Sequence, residues 1–471
     1  MPSSAYPTKP PAHIAIIGAG WAGCAAAVRA VQMGARVTVF EASRTAGGRA
    51  RNVACEEADG GLLDNGQHIL IGAYTHTLEL MRTLGASPEA MLQRLPLDLR
   101  TPDGHGLQLR PSASAPLAAA SAIARAKGWS WNEKWRLLRT AARWQLQGFT
   151  CPAQHSVAQL CQSLGPVVFQ NLIEPLCVAA FNSAPHETSG QAFLRVLQDA
   201  LFAAPGASDA LIARVPFGQL VPEPALAWLQ AHGARVALGH RVLALQQTPS
   251  GWQLPCNQPT FQHDLPENTF DQIILACPAW EAARLVQEAA QQQPLLPATA
   301  SSAMQHWAQQ AAALQHVPIA TLYAWCPSQA CARLRPMQAL HCQSKDEAQF
   351  VFHHAHRQRP AGLGQQAEPQ TLLAFVASHC TDDRQALEAA ITTQAREQLK
   401  LPALHIIRTA MEKRATFICS PALPRPAMQI AAGLLACGDY VQGPYPATLE
   451  GAVRNGQQAA EACLAAAVAA T

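Results

Sequence analysis

Charge is scarce in this chain. Asp, Glu, Lys and Arg make up 14% of 471 residues, and the formal net charge is only +3. So weak and dispersed a charge gives no basic face for nucleic acid, and 49% hydrophobic residues exclude a disordered chain. Runs of about 18 apolar residues are missing, so no segment reads as a membrane-spanning helix. Cys-x-x-Cys pairs are also missing, although there are fourteen cysteines. The closest two, Cys326 and Cys331, are too isolated for a four-ligand zinc site, and no metal is expected. Cys24, Cys177, Cys277, Cys437 and Cys463 sit in apolar surroundings, where a reduced thiol behaves as a small hydrophobe. That usage fits a reducing cytosol without disulfides. The start, "MPSSAYPTKPPA", has no long apolar segment and reads as a short, disordered, proline-rich tail rather than a signal peptide. What is present is length, enough for two or more domains.

An apolar run, His13 to Ile17, leads into Gly18-Ala19-Gly20-Trp21-Ala22-Gly23 and a helical segment that Gly34 ends. "RVTVFEA" follows as a second strand. In this β-turn-α-β unit Gly18 permits the tight turn and Gly20 lets backbone approach a pyrophosphate. Gly23 lets helix and strand pack closely, and the helix start at Trp21 and Ala22 offers amides to an anion. Glu41, with Ala42 after it, ends the second strand, where a carboxylate accepts from ribose hydroxyls. The unit predicts a bound dinucleotide.

The continuation "ASRTAGGRAR" resembles the amine-oxidase and carotenoid-desaturase superfamily of flavoproteins. The resemblance implies FAD, with Gly47, Gly48 and Arg49 along its pyrophosphate. Near the other end, "GLLACGDYVQGPYPATLEGAVRNGQQAAEACLAAA" reads as a strand, Gly438-Asp439, a loop and an Ala-rich helix from about Thr448. By the same resemblance Gly438 and Asp439 contact the ribityl-phosphate region. The helix start, with Leu449 first, faces the flavin pyrimidine edge, where its amides favour the negative charge of reduced flavin. Val242, after a helix over about 222–232 and a strand, matches the residue that brings backbone to adenine. The fold class expected is α/β, a Rossmann-like FAD-binding domain with a mixed α+β substrate domain formed by insertions. The FAD domain is discontinuous (12–100, 206–285 and 425–471), and the substrate domain comprises 101–205 and 286–424.

Between these pieces, "SAIARAKGWSWNEKWRLLRTAARWQL" interleaves basic residues with four tryptophans. Two readings stay open: a membrane-surface helix pair, or a cap whose tryptophans pack inward. With "DNGQHILIGAYTHTLELMRTLGA", "EPLCVAAFNSAP", "EKRATF" and the C-terminal block in place, nearly the whole chain resembles the hydroxysqualene dehydroxylases, also called squalene-associated FAD-dependent desaturases. That resemblance implies reductive removal of the hydroxyl of hydroxysqualene, giving squalene for hopanoid synthesis. Ionising an allylic alcohol needs a proton donor, and His68 is the first candidate because of its midrange pKa. Gln67 is expected to orient flavin or substrate, Gly66 to contact the cofactor, and Asp64 to hold backbone.

Other function classes are an oxidative desaturase, an amine oxidase, and a non-catalytic lipid-binding flavoprotein. Tyr440 follows Asp439 where some amine oxidases tether FAD through Cys. The expected partners are a polyisoprenoid substrate and an electron donor, either a nicotinamide or a redox protein. The expected location is cytoplasmic, with peripheral contact on the inner face of the membrane.

Overall fold

The computed structural model describes residues 11–58, 61–112, 114–257, 269–292, 298–342, 346–359, 368–381 and 383–469. Residues 1–10 of the proline-rich tail lie outside them.

The first strand, His13–Ile17, is buried along its whole length because strands pair with it on both edges. A continuous apolar run is what such a central parallel strand requires. The six-stranded sheet runs 429–431, 434–436, 272–275, 13–17, 36–41, 235–238, parallel except at its first pair. Segments far apart in sequence therefore share one sheet. Their carboxyl ends lie together, which is where an open α/β sheet holds a ligand.

The helix Trp21–Gln32 covers this sheet and packs along the last helix, Leu449–Ala469. Small residues allow the close approach: a Cβ on Gly456 would lie 2.2 Å from the carbonyl oxygen of Ala22. Glu450, in the first turn of the last helix, is 1% exposed. Its carboxylate accepts from the Nε of Arg454, the backbone N–H of His76, and both N–H and hydroxyl of Thr77. It thus caps the helix Thr75–Thr83 from outside. Glu450→Ala leaves those donors buried and is expected to cost about 3 kcal/mol in a urea melt.

A five-stranded antiparallel sheet runs 337–339, 350–359, 370–378, 316–327, 405–417. Alternation along its strands serves two cores. Tyr323, Trp325, Phe350 and Phe352 face helices of the 115–197 region, whereas Leu322, Ala324, Val351 and Phe375 face the helix Arg384–Leu399. The helix Ala279–Gln292 runs through position 285, and the helix Ala298–Ala312 packs on it. Met304, Trp307 and Ala308 share a core with Ile273, Leu275 and Leu434 of the six-stranded sheet. The apolar faces of both helices thus lie on that sheet.

The four tryptophans divide between the two readings. Trp129 and Trp144 are buried, while Trp131 and Trp135 are 77% and 67% exposed. Among the described residues, no helix is long and apolar enough to cross a membrane.

Candidate FAD and active site

Gly18 has φ +114°, which favours glycine, and a Cβ there would lie 2.6 Å from the carbonyl oxygen of Ala276. A Cβ on Gly23 would lie 1.9 Å from the carbonyl oxygen of Gly18, so this glycine closes helix onto turn. Gly20 differs, since a Cβ would meet nothing within 4 Å. Open space thus lies above the middle of the loop. No side chain caps the helix that begins at Trp21, and the first paired amide is that of Cys24, to the carbonyl of Gly20. Among the described residues the amides of Ala22 and Gly23 have no partner, and such a helix start suits an anion. The indole of Trp21 points elsewhere, donating to the carbonyl of Ala50.

Gly47 pairs beside this loop, its amide donating to the carbonyl of Ala19 at 2.8 Å, with Gly20 and Gly47 bridged in parallel. A Cβ on Gly48 would lie 3.5 Å from the Cα of Gly20, so the two glycine segments face each other. Glu41 reaches under the loop and accepts from the amides of Ala19 and Ser43, each at 2.8 Å. Ala42 beside it is exposed. Arg49 donates to Asp439 at 2.6 Å and to the carbonyl of Ala415 at 2.8 Å. Burial pulls the pKa of the Arg49 guanidinium down, but the charge and hydrogen bond of Asp439 reverse this and hold it above its usual value.

Gly438 donates its amide to Asn455, and its lack of a side chain accommodates the ring of Tyr440, which a Cβ would approach to 2.8 Å. At the last helix Gly451 donates to the hydroxyl of Thr448. The amide of Leu449 has no partner among the described residues. Val242 is buried, and the two hydrogen bonds of its bridge to Cys256 run through Arg241, Asn257, Leu243 and Pro255. Its own backbone groups stay outside them. These unpaired amides, the facing glycines and the open space above Gly20 fit a dinucleotide cofactor.

The segment Asp64–His68 lies between the two sheets. Asp64 accepts the amide of Phe217 at 2.7 Å, fixing a ring whose centroid is 5.1 Å from that of His68 and 5.3 Å from that of Trp21. Burial pushes the Asp64 carboxyl up to about 6, against the opposing pull of the Phe217 amide and of Arg357. His68 presents Nδ1 to the carbonyl of Gly66 at 2.7 Å. A carbonyl only accepts, so Nδ1 carries the hydrogen and Nε2 is left as an acceptor. Burial lowers this imidazole to about 4; the Gly66 bond opposes that shift, and the charge of Arg49 adds to it. At neutral pH His68 is therefore uncharged.

What holds Gln67 is visible only in the fold. Its amide N–H donates to the hydroxyl of Thr321 at 3.0 Å, and its side-chain Nε2 donates to the carbonyl of His68 at 2.9 Å. Its Oε1 accepts from Nε2 of His354 at 2.8 Å. His354 is buried, and burial first, then the charges of His356, Arg357 and His353, lower it to about 3. "HHAHR" at 353–357 was visible as a cluster of titratable residues, but not which of them turns inward.

Both buried histidines take up a proton on unfolding below about pH 6.5, so their contribution to stability is complete above that pH and is lost as pH falls towards 4 and below. Asp64 acts oppositely in the same window, because its folded pKa is raised. The clean readout is a difference: His354→Gln should reduce proton uptake on unfolding between pH 6 and 4 by about one proton. Denaturant midpoints measured across that range check this.

A model of the family described as flavin containing amine oxidoreductase matches residues 21–464, and the chain belongs to that family. It is an FAD-dependent oxidoreductase. Among relatives, the hydroxysqualene dehydroxylase of Rhodopseudomonas palustris is 29% identical over 467 residues, covering 96% of this chain and 98% of its own. The hydroxysqualene dehydroxylase of Sinorhizobium fredii is 26% identical over 299 residues, 59% of this chain and 64% of its own. Among solved structures, an oxidoreductase from Methanosarcina mazei superposes with a TM-score of 0.67 at 14% identity, covering 95% of this chain and all of its own.

Proposed function

We propose that this enzyme removes the hydroxyl of hydroxysqualene reductively and releases squalene, feeding hopanoid synthesis. The observation that carries this reading is the end-to-end likeness to the Rhodopseudomonas palustris relative, 96% of this chain against 98% of that one. The reaction adds a proton and a hydride to an allylic alcohol and releases water. FAD, when bound in reduced form, supplies the hydride; a nicotinamide or a redox protein replenishes its two electrons.

The protein's own part is to bind, orient and protonate. The facing segments Gly18–Gly23 and Gly47–Arg49 hold the pyrophosphate, Glu41 and Ala42 the ribose end, and Val242 the adenine. Gly438, Asp439, Gly66 and the amide of Leu449 would hold the flavin side. Asp64 is the group of this segment that still carries a proton near pH 6, and it protonates the departing hydroxyl. His68, neutral with Nε2 free to accept, orients that hydroxyl. Gln67, held by His354 and Thr321, fixes the loop. Apolar side chains around Tyr323, Trp325, Phe181 and Phe193 keep water from the cation.

In this reading residues 12–100, 206–312 and 425–471 form the FAD domain, with 101–205 and 313–424 over it. A cytoplasmic enzyme taking substrate from the inner leaflet fits the same reading. FAD-loaded enzyme bleached without oxygen by dithionite just sufficient to reduce its flavin should reoxidise on adding hydroxysqualene. Persistent bleaching would argue against the proposal.

A further inference from the structure

We propose that the helices Ala115–Arg125 and Trp131–Leu146 form a face that docks on an anionic lipid bilayer. Among the described residues six large hydrophobic side chains are exposed, and four of them, Leu117, Trp131, Trp135 and Leu146, lie on these helices. On the second helix the exposed positions 131, 135, 139, 142 and 146 recur at spacings of three and four, so they form one stripe.

The stripe is held rigidly from behind. Leu137 and Trp144 are buried in the core that contains Leu63, the residue before Asp64. Ser130 and Glu133 form a capping box at the helix start. Lys134 donates to the carbonyl of Ala124, and its Nζ lies 4.9 Å from the ring centre of Trp131. The outward tryptophans are therefore fixed in place and kept in solvent, which a patch without a use does not require.

Charge decides the occupant. Residues 110–150 contain seven Lys or Arg and one Glu, a net +6, whereas the whole chain carries +3 and the remainder therefore −3. Arg110, Arg125, Lys127, Arg136, Arg139 and Arg143 are exposed, and none forms an ion pair among the described residues. A protein interface depletes charge from its centre. Here Arg139 sits within the apolar stripe and Arg136 and Arg143 flank it, the pattern of an interfacial helix, with tryptophan at headgroup depth and cations on anionic lipid.

The FAD-loaded full-length protein should float with vesicles of phosphatidylcholine containing about 30% phosphatidylglycerol, and bind pure phosphatidylcholine roughly tenfold less tightly. Trp131→Ala with Trp135→Ala should weaken vesicle binding by about tenfold, leaving flavin absorbance and melting temperature unchanged. Arg136→Gln, Arg139→Gln and Arg143→Gln together should remove the preference for anionic lipid. Absence of vesicle binding, or equal binding by the double tryptophan variant, would overturn the proposal. So would a dimer that the double variant dissociates while vesicles go unbound, which would assign the face to a second copy. The readout is lipid binding rather than turnover, so its failure would leave the substrate reading standing.

Discussion

Gly20→Val should give a folded, colourless protein. The backbone of Gly20 is extended, with φ −73° and ψ −178°, which valine adopts readily, and nothing lies within 4 Å of a Cβ at this position. The free protein therefore tolerates the side chain. The space it fills is the opening bounded by Gly48 and the unpaired amides of the first helix, which the account gives to the pyrophosphate. FAD affinity should drop at least a hundredfold, roughly 3 kcal/mol, while circular dichroism stays that of the parent. Gly23→Val is the control: its Cβ would lie 1.9 Å from a carbonyl oxygen, so that variant should lose the fold itself. A yellow, fully loaded Gly20→Val protein would remove the nucleotide site from this loop.

The second large effect concerns the proton. With the Asp64 carboxyl near 6, the protonated fraction falls about tenfold per pH unit above that value. If Asp64 protonates the leaving hydroxyl, turnover should fall with the same slope between pH 7 and 9. Asp64→Asn keeps an oxygen to accept the amide of Phe217, so the ring behind His68 stays in place. What it removes is the proton. Turnover should drop about a hundredfold and lose its pH dependence, with FAD content unchanged. His68→Gln should reduce turnover without moving the inflection, because His68 is already neutral throughout that range. An inflection that persists in Asp64→Asn and vanishes in His68→Gln would return the donor role to histidine.

The cofactor end of this molecule was legible because its signals are local. Gly18, Gly20 and Gly23 occupy one turn, Glu41 ends the next strand, and the apolar runs that form the six-stranded sheet are continuous. Long-range pairings were not legible. The bond between Gln67 and His354 spans 287 positions, and that between Asp64 and Phe217 spans 153. Nothing in either neighbourhood names its partner. The pKa of His68 was not legible for the same reason: a midrange pKa is the value in water, and enclosure moves it to about 4. Where the helices Ala279–Gln292 and Ala298–Ala312 dock was not legible either, because an amphipathic helix states that it has an apolar face but not which sheet receives it. The tryptophans illustrate the same limit, since Trp129 and Trp144 turned inward and Trp131 and Trp135 outward.

Mass spectrometry of the products formed from hydroxysqualene by the purified yellow protein, reduced with dithionite under argon, tests the central claim most directly. The proposed reaction yields squalene, lighter than the substrate by one oxygen, in amounts exceeding the enzyme when reductant is in excess. Unchanged hydroxysqualene, or a product that has lost hydrogen instead of oxygen, would contradict it.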